Sequence, residues 1–298
     1  VELLSVSNGL MRRASCYLQQ MSLIKPYNLK KTKLGCEVYG IDLNKEVSQD
    51  VVEAIKSDVT KHRILIFKNQ GILSGDKHVS ISLWFGSLES TFYKHPQSPH
   101  PDVFRVSNVA SEGCTGVGRT GWHIDGSFQK CPFSYSLYHM VSIPKSGDTV
   151  FAPLTELVEG LDKAKYNRWN RLWMVSDRRS GPVHPLIYSH PITMQKTLCF
   201  HLGMTECFIW DYGTQNERYT DDQETFLILK EIEHEFIKDN GAIQYSHKWE
   251  PGDFIISDNL AVGHEASPDT QYPLADVGLR ILHRTTIAGT NQPTKSLT

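Results

Sequence analysis

A histidine and an aspartate two positions apart are the first residues of this 298-residue chain that could do chemistry. His123 and Asp125 lie in the segment 121–127, between glycines. Residues two apart on a β-strand point to the same face, so this imidazole and this carboxylate can converge on one cation. The pattern is weak alone, since chance often supplies it. A second copy, at 100–102, lies among prolines and predicts a surface turn.

A third ligand is available far along the chain. Residues 249–253 read as a turn, residues 254–256 as a buried strand, and His264 follows shortly after. If the sheet winds back on itself, His264 can lie beside His123 and Asp125. Two histidines and a carboxylate form the facial triad of non-haem Fe(II) oxygenases. The same set also makes a catalytic zinc site, and each histidine alone is as readily structural.

Two arginines stand on a late apolar strand, residues 279–287. Alternation places Arg280 and Arg284 on one face, and Leu279, Ile281 and Ile287 on the other. A guanidinium on such a strand is costly to bury unless it meets an anion, and its fork binds a carboxylate with two parallel hydrogen bonds. The strand therefore predicts an anion site. Solvated arginines on an exposed face are the alternative.

The remaining pattern predicts the elements that must position these residues. Helical periodicity appears in three segments: 48–61; 74–85, with Ser74 as N-cap and Gly86 as C-cap; and a helix from a Thr220/Gln223 capping box to 240–241 with Phe226, Leu229, Ile232 and Phe236 inward. Short strands between Gly and Pro turns are predicted at 64–67, 103–106, 134–141, 197–201, 254–256 and 279–287. Many strands with few helices favour a mainly β fold with flanking helices.

Composition excludes several classes of partner. Lys and Arg total 31 against 33 Asp and Glu, a net charge of −2, so neither nucleic acid nor an anionic membrane is the expected partner. No apolar run approaches the length of a membrane span. The six cysteines form no C-x-x-C pair, which favours reduced thiols in an intracellular protein.

The N-terminal segment is set apart from the rest. No acidic residue occurs between Glu2 and Glu37, whereas six basic residues do. We expect residues 1–32 to be an extension that is disordered or, through residues 1–20, a targeting segment, and residues 33–298 to be a single domain. The expected location is cytoplasmic, or mitochondrial or another organelle if the segment is a targeting signal.

In the order and spacing of its motifs, the chain resembles the taurine dioxygenase (TauD/TfdA-like) family of Fe(II)- and 2-oxoglutarate-dependent oxygenases. The resemblance covers roughly residues 33–290, and the matching segments are 34–43, 63–70, 84–86, 122–125, 147–149, 184–191, 249–259, His264, Arg280 and Arg284.

This resemblance implies a double-stranded β-helix, or jelly-roll, core. It implies that His123, Asp125 and His264 bind Fe(II) and carry the catalysis with O2. It further implies that Arg280 and Thr149 hold the far carboxylate of the cosubstrate 2-oxoglutarate. The position of Arg284 implies a contact with an anionic group of the substrate.

The resemblance predicts oxidation, most simply hydroxylation, of a small and anionic organic substrate, with release of succinate and CO2. Self-association into a homo-oligomer is an accompanying possibility. The taurine enzymes carry histidines after the Phe-Gly motif, where this chain has Ser87-Leu88-Glu89, so taurine itself is not the expected substrate. A zinc-dependent hydrolase and a catalytically silent jelly-roll binding protein are the alternatives; dependence on O2 separates the first, and failure to form succinate would favour the second.

Overall fold

A computed structural model describes residues 25–89, 94–177 and 181–295 of the chain. Most of the predicted N-terminal extension, including the segment considered for targeting, lies outside the described residues. Asn28–Lys31, which the sequence analysis assigns to that extension, is a strand that pairs antiparallel with Cys36–Tyr39.

Six described α-helices flank the strands. Their bounds are α1 Gln49–His62, α2 Gly75–Ser82, α3 Leu154–Glu159, α4 Lys163–Trp169, α5 Asp222–Gly241 and α6 Leu274–Val277, with a 3-10 turn at Pro268–Gln271. No helix within the described ranges combines the length and the apolar character that crossing a bilayer requires.

The strands are short, as the turn residues predict. Up to the middle of the chain they are β1 Asn28–Lys31, β2 Cys36–Tyr39, β3 Ile64–Phe67, β4 Phe104–Ser107, β5 Tyr135–Ser142, β6 Thr149–Pro153, β7 Leu172–Ser176 and β8 Val183–Pro185. After these come β9 Ile187–Ser189, β10 Lys196–Leu198, β11 Thr205–Trp210, β12 Arg218–Tyr219, β13 Tyr245–His247, β14 Phe254–Asp258, β15 Val262–Ala266 and β16 Ile281–Thr286.

Two sheets enclose the centre of the molecule. The larger has the strand order β1-β2-β3-β14-β5-β16-β4, and the smaller has the order β13-β6-β15. Apolar side chains from both sheets share one buried cluster, in which the rings of Tyr138 (β5) and Phe151 (β6) meet edge to face at 6.2 Å. In both strand orders, neighbouring strands come from distant parts of the chain, so residues far apart in sequence lie close together.

Alternation along the central strands separates two faces of the larger sheet. Tyr138 of β5 and Ile255 of β14 point into the cluster between the sheets, whereas Leu137 and Phe254 point outward. The outward side chains pack against Ile55 of α1 and the rest of its apolar face. The predicted helix at 48–61 is thus confirmed within one residue at each end, and it covers the back of the sheet.

The second predicted helix begins where expected but ends early. The Ser74 hydroxyl accepts a hydrogen bond from the amide of Lys77, as an N-cap does. α2 nevertheless ends at Ser82, and a turn covers the residues before Gly86, so the predicted C-cap at Gly86 is wrong. The methyl of Ile287 lies 3.1 Å from where a side chain at Gly86 would begin, so close packing explains this glycine.

The predicted start of the third helix is also wrong. Asp221 is the N-cap of α5, and its carboxylate accepts from the amide of Glu224. The hydroxyl of Thr220 instead bonds to the carbonyl of Phe208 and to the hydroxyl of Thr225, so it belongs to the turn before the helix.

The inward face of α5 differs in one position from the prediction. Ile232 and Phe236 are buried and Leu229 is partly buried, as expected, but Phe226 is 57% exposed. The actual buried face runs through Thr225 and Ile228, one helical position away from Phe226. Phe236 stacks on Trp122 at 4.5 Å, so α5 buttresses the residue just before His123.

Candidate active site

His123 and His264 are brought together by the main chain. The amide of each donates to the carbonyl of the other, at 3.1 Å and 2.9 Å, so they form a β-bridge across 141 positions of sequence. The two rings project to the same side, with centroids 4.4 Å apart. β15, which carries His264, is thereby the neighbour of the short extended segment that carries His123.

Asp125 completes a cluster of metal-ligand type. One ligand atom from each of His123, Asp125 and His264 lies within 4.8 Å of the other two, and all three residues are buried. The Asp125 Oδ2 atom is 3.6 Å from His264 Nε2. Within the described ranges, these three residues are the one group of such side chains close enough together to hold a metal ion. The long-range convergence that the sequence analysis required is present.

The ring of His123 has its protonation pattern fixed by one hydrogen bond. Its Nδ1 atom is 2.7 Å from the carbonyl of Gly121. A carbonyl only accepts, so Nδ1 carries the hydrogen and Nε2 presents a lone pair. A metal-binding histidine commonly donates its other nitrogen to a carbonyl or carboxylate in this way. The donor state of His123 therefore suits a cation.

Burial and mutual repulsion keep both imidazoles neutral. Burial lowers the pKa of His264 to about 3, and the neighbouring His123 ring adds to the shift. Burial also lowers the pKa of His123. For Asp125, burial opposes ionisation, but the Arg284 guanidinium and the two histidines hold its pKa well below the ordinary range. The cluster thus offers two neutral imidazoles and one carboxylate, the protonation states that a metal requires.

β5 supports two of the three ligands from the opposite sheet. The hydroxyl of Ser136 donates to Asp125 Oδ2 at 2.7 Å. The hydroxyl of Tyr138 lies 3.4 Å from His264 Nε2. Both side chains point inward, since they are two positions apart on one strand. This strand was predicted from the sequence, but Ser136 and Tyr138 were not singled out. Polar residues in alternation on a buried strand were the available signal.

Arg284 contacts the cluster directly. Its Nη1 atom donates to Asp125 Oδ1 at 2.8 Å, and its guanidinium lies 5.2 Å from the centre of the Phe104 ring. Within the described residues, its Nε atom is buried and makes no hydrogen bond. Arg284 therefore faces the buried cluster, and the alternative of a solvated arginine is wrong for this residue. The contact with the carboxylate of the cluster was not expected.

Arg280 occupies a separate buried corner. It is 2% exposed, and its Nε atom lies 3.5 Å from the carbonyl of Gly147. Burial lowers its pKa to about 10, so it remains a cation at neutral pH. Thr149 begins β6 two residues after Gly147, and its hydroxyl accepts a hydrogen bond from the Trp249 indole at 3.2 Å. The structure thus places Arg280 and Thr149 at the same end of β6.

A third histidine, which was not singled out from the sequence, lies beside the cluster. His201 pairs with His123 on the side opposite His264, and the two rings stack at 4.6 Å. Its Nδ1 atom accepts from the amide of Gly203, so the hydrogen of the neutral ring is on Nε2. The predicted strand at 197–201 contained this residue, but nothing in its spacing linked it to His123.

Two packed β-sheets around two histidines and a carboxylate are the arrangement expected of a metal-dependent oxygenase. The family model described as taurine catabolism dioxygenase TauD, TfdA family matches residues 25–286. The chain belongs to this family. The predicted family and enzyme class, that of the Fe(II)- and 2-oxoglutarate-dependent oxygenases, are confirmed.

Characterised relatives share about a quarter of their residues with this chain. An alpha-ketoglutarate-dependent sulfonate dioxygenase of Saccharomyces cerevisiae is 26% identical over 278 residues, which cover 84% of this chain and 64% of the yeast protein. An alpha-ketoglutarate-dependent sulfate ester dioxygenase of Pseudomonas putida is 26% identical over 288 residues, 86% of this chain and 87% of that protein. Alpha-ketoglutarate is another name for 2-oxoglutarate.

Solved structures establish the fold. A taurine dioxygenase from Burkholderia xenovorans superposes with a TM-score of 0.72 at 24% identity, covering 91% of this chain and 92% of that one. AAD-2 in complex with Mn(II) and N-oxalylglycine gives a TM-score of 0.70 at 20% identity, covering 90% and 99%. The predicted fold class, mainly β with the double-sheet core of this family, is confirmed.

Proposed function

We propose that this protein is an Fe(II)-dependent dioxygenase that hydroxylates a small anionic organic substrate at the expense of 2-oxoglutarate. The observation that carries the proposal is the cluster of His123, Asp125 and His264, with the guanidinium of Arg284 against its carboxylate. In this proposal the cluster binds the metal, and the guanidinium binds the anionic group of the substrate.

The residues present fit a ferrous ion. His123 presents an unprotonated Nε2, and Asp125 is held as an anion by Ser136 and Arg284. Nitrogen and oxygen donors in this number suit Fe(II) and leave coordination positions for 2-oxoglutarate and O2. When bound, Fe(II) and 2-oxoglutarate supply the oxidising chemistry: O2 is consumed, succinate and CO2 are released, and one oxygen atom enters a C–H bond of the substrate.

Charge balance favours an anionic substrate. Without metal, the positive charge of Arg284 cancels the negative charge of Asp125. A divalent metal, together with Arg280, adds three positive charges to this neutral pair, and 2-oxoglutarate brings only two negative charges. Asp269, whose carboxylate acts on Arg280, is partly exposed, so the site around the metal keeps an excess of positive charge, which is costly where it is buried. A substrate with one negative charge would restore the balance.

Named relatives support the same substrate class. The proteins from Saccharomyces cerevisiae and Pseudomonas putida are named for sulfonates and sulfate esters. A further relative from Cupriavidus pinatubonensis, 26% identical over 265 residues, is named for 2,4-dichlorophenoxyacetate and covers 76% of this chain and 86% of that protein. Sulfonates, monoesters of sulfate and aryloxyacetates each carry one negative charge at neutral pH.

The chain's own residues have distinct parts in this proposal. Arg280 and Thr149 hold the far carboxylate of 2-oxoglutarate, since a buried guanidinium fork and a hydroxyl both donate to it. Arg284 has further N–H groups besides the one on Asp125, and these orient the anionic group of the substrate. Ser136 keeps Asp125 in place, the Tyr138 hydroxyl lies beside the His264 ring, and the surrounding apolar side chains exclude water.

Succinate release tests the proposal. The purified protein is given Fe(II), 2-oxoglutarate and air, with a panel of alkyl sulfonates, alkyl sulfates and aryloxyacetates, each paired with an uncharged alcohol of the same carbon skeleton. We expect at least one anionic class to raise succinate release, and its alcohol partner to raise it far less. Equal stimulation by the alcohols would contradict the anionic substrate.

Oxygen dependence tests the reaction class. In an anaerobic chamber, product and succinate formation are both expected to stop, because O2 is a stoichiometric reactant. Product formation that continued without O2 would favour a hydrolase on the same ligands. No succinate from any compound, despite binding of metal and 2-oxoglutarate, would favour a binding protein.

A further inference from the structure

The main chain at Asp125 is held by a side-chain amide rather than by a neighbouring strand. Asn259 Oδ1 accepts from the Asp125 amide at 2.8 Å, and Asn259 Nδ2 donates to the Asp125 carbonyl at 2.8 Å. The same Nδ2 donates to the carbonyl of Phe133 at 2.6 Å. Asn259 is 1% exposed. The Asn259 side chain therefore makes the two main-chain hydrogen bonds to Asp125 that a residue of a neighbouring strand makes in a β-sheet.

The location of this amide connects three segments of the site. Asn259 lies in the turn between β14 and β15, and β15 carries His264. Asp125 lies two residues after His123, just beyond the segment that pairs with β15. Phe133 lies just before β5, the strand that carries Ser136. The orientation of the amide is fixed by its partners, since a flipped group would place its oxygen against two carbonyls.

A second asparagine bonds to the main-chain amide of Arg280. Asn108 Oδ1 accepts from that amide at 3.0 Å, and its Nδ2 donates to the carbonyls of Gly278 at 2.9 Å and Tyr272 at 3.1 Å. β16 pairs with β4 only as far as Ile281 and Ser107. Asn108 continues that pairing by one step with its side chain, at the residue whose guanidinium is buried.

We propose that Asn259 and Asn108 are positioning residues, of which Asn259 sets the metal carboxylate and Asn108 sets the 2-oxoglutarate arginine. This inference rests on the proposed function, because it takes the roles of Asp125 and Arg280 from it. The two amides lie in different parts of the site, so each acts on one ligand and not on the other.

The length of the positioned side chain decides the size of each effect. The carboxylate of Asp125 is two torsions from its main chain, so a displaced backbone moves the ligand atoms almost as far. Arg280 has four torsions, which can absorb part of a displacement. Changes beside a metal ligand cost roughly 10- to 100-fold in metal affinity. We expect Asn259 substitutions to fall in that range, and Asn108 substitutions to weaken 2-oxoglutarate by about threefold to tenfold.

Two separate titrations test the inference. Asn259→Ser and Asn108→Ser are compared with the unsubstituted protein by calorimetry without O2, first with Co(II) alone and then with 2-oxoglutarate added to the Co(II)-saturated protein. Asn259→Ser is expected to weaken Co(II) and leave 2-oxoglutarate within about threefold, and Asn108→Ser to do the reverse. General destabilisation would not separate the two affinities in opposite directions.

A third asparagine provides a control away from the site. Asn44 Nδ2 donates to the carbonyl of Gln70 at 2.7 Å, and Asn44 is exposed in the loop after β2. Asn44→Ser is expected to leave both affinities unchanged. An equal loss in Asn44→Ser, or a loss of both affinities in both site variants, would overturn the inference.

Folding and function are distinguished in the same experiment. If Asn259→Ser is not folded by thermal melting, Asn259→Asp, which keeps the shape but loses the donor, takes its place with the same expected result. Failure of both to fold would assign the amide to the fold and overturn its positioning role. If the unsubstituted protein binds no Co(II), or binds Co(II) but no 2-oxoglutarate, the proposed function fails; normal binding in every variant defeats only the inference about the asparagines.

Discussion

Histidines gather at two places in this molecule, between the two sheets and behind the larger sheet. Between the sheets, His123 and His264 lie with Asp125 within 4.8 Å. Behind the larger sheet, His139 of β5 and His283 of β16 lie near His78 of α2, whose ring is 6.4 Å from that of His139. Both groups are buried, and burial lowers the pKa of each ring.

The two groups of histidines differ in the hydrogen-bond partners of their ring nitrogens. His139 uses both of its nitrogens on the main chain: Nδ1 donates to the carbonyl of Asp253 and Nε2 accepts from the amide of Leu73. His283 Nε2 accepts from Arg105 at 2.9 Å. His123, by contrast, spends Nδ1 on the main chain and leaves Nε2 for a cation. His78 is an exception, since neither of its ring nitrogens has a hydrogen-bond partner in the described part of the chain, but no group of metal-ligand type forms around it there. A metal centre is thus recognised by imidazoles that converge with a carboxylate, and not by a number of histidines.

The largest expected effect is the loss of metal from the group between the sheets. His264→Ala removes one of the three donors, so we expect Co(II) affinity to fall by more than about 100-fold, beyond the range for changes outside the ligand set. Calorimetric titration measures it. His139→Gln, in the group behind the sheet, is the matched control and should bind Co(II) normally. Similar losses in both variants would remove the distinction between the two groups.

The next effect concerns the buried cation at the end of β6. Arg280→Ala removes about two charge-assisted hydrogen bonds, each worth roughly 1.5–3 kcal/mol, so the dissociation constant for 2-oxoglutarate should rise by about 100-fold or more. Metal affinity should stay within about threefold, since Arg280 does not belong to the ligand cluster. Turnover with the 2-oxoglutarate affinity of the unsubstituted protein would show that Arg280 does not bind this cosubstrate.

A smaller effect is expected at the other arginine. Arg284→Gln keeps a donor for Asp125 but removes the positive charge, so the KM for an anionic substrate should rise by about 10-fold to 100-fold. The KM for 2-oxoglutarate is expected to change by less than about threefold. Steady-state kinetics with each varied in turn provides the comparison. Equal rises in both constants would mean that the two arginines do not have separate ligands.

The last effect concerns stability rather than binding, namely the response of the histidines behind the larger sheet to acid. Burial and the neighbouring Arg105 lower the pKa of His283 to about 3, against an unfolded value near 6.5. The unfolded chain therefore binds more protons below pH 6.5, and the free energy of unfolding should fall as pH falls toward 3, by up to about 1.4 kcal/mol per pH unit for this residue.

Urea unfolding between pH 4 and pH 7 measures that slope. His283→Gln keeps an acceptor for Arg105 but cannot titrate, so its free energy of unfolding should depend less steeply on pH. An unchanged slope would indicate that His283 does not contribute to the acid sensitivity of the fold.

The sequence predicted the candidate ligands and most helices and strands because these follow from local patterns of residue type. His123 and Asp125 share a face through simple alternation, and the strand at 64–67 was found at its observed bounds. Alternation also placed Arg284 and Arg280 on one face of a late strand. His264 was proposed from its position after the strand at 254–256, and the resemblance to a family then implied that it is the third ligand.

The errors and omissions have a physical origin in tertiary structure. Thr220 and Asp221 are both good N-caps, and the pairing of Thr220 with Phe208 decides between them. Gly86 was taken as a C-cap, but it meets a packing requirement instead, since it lies against Ile287, 201 positions away. Asn259 and His201 are ordinary residues in the sequence, and only the winding of the sheets brings them to the cluster.

The two hydroxyl side chains of β5 that point toward the metal ligands limit how the sequence of this strand can evolve. Ser136 reaches Asp125, and Tyr138 reaches His264, from a strand that carries neither ligand. Because side chains alternate, a single-residue insertion or deletion ahead of Ser136 would rotate both hydroxyls to the far side of the sheet. A point substitution in β5 therefore changes one contact at a time, whereas a one-residue shift in its register against β14 and β16 would remove the contacts to Asp125 and His264 together.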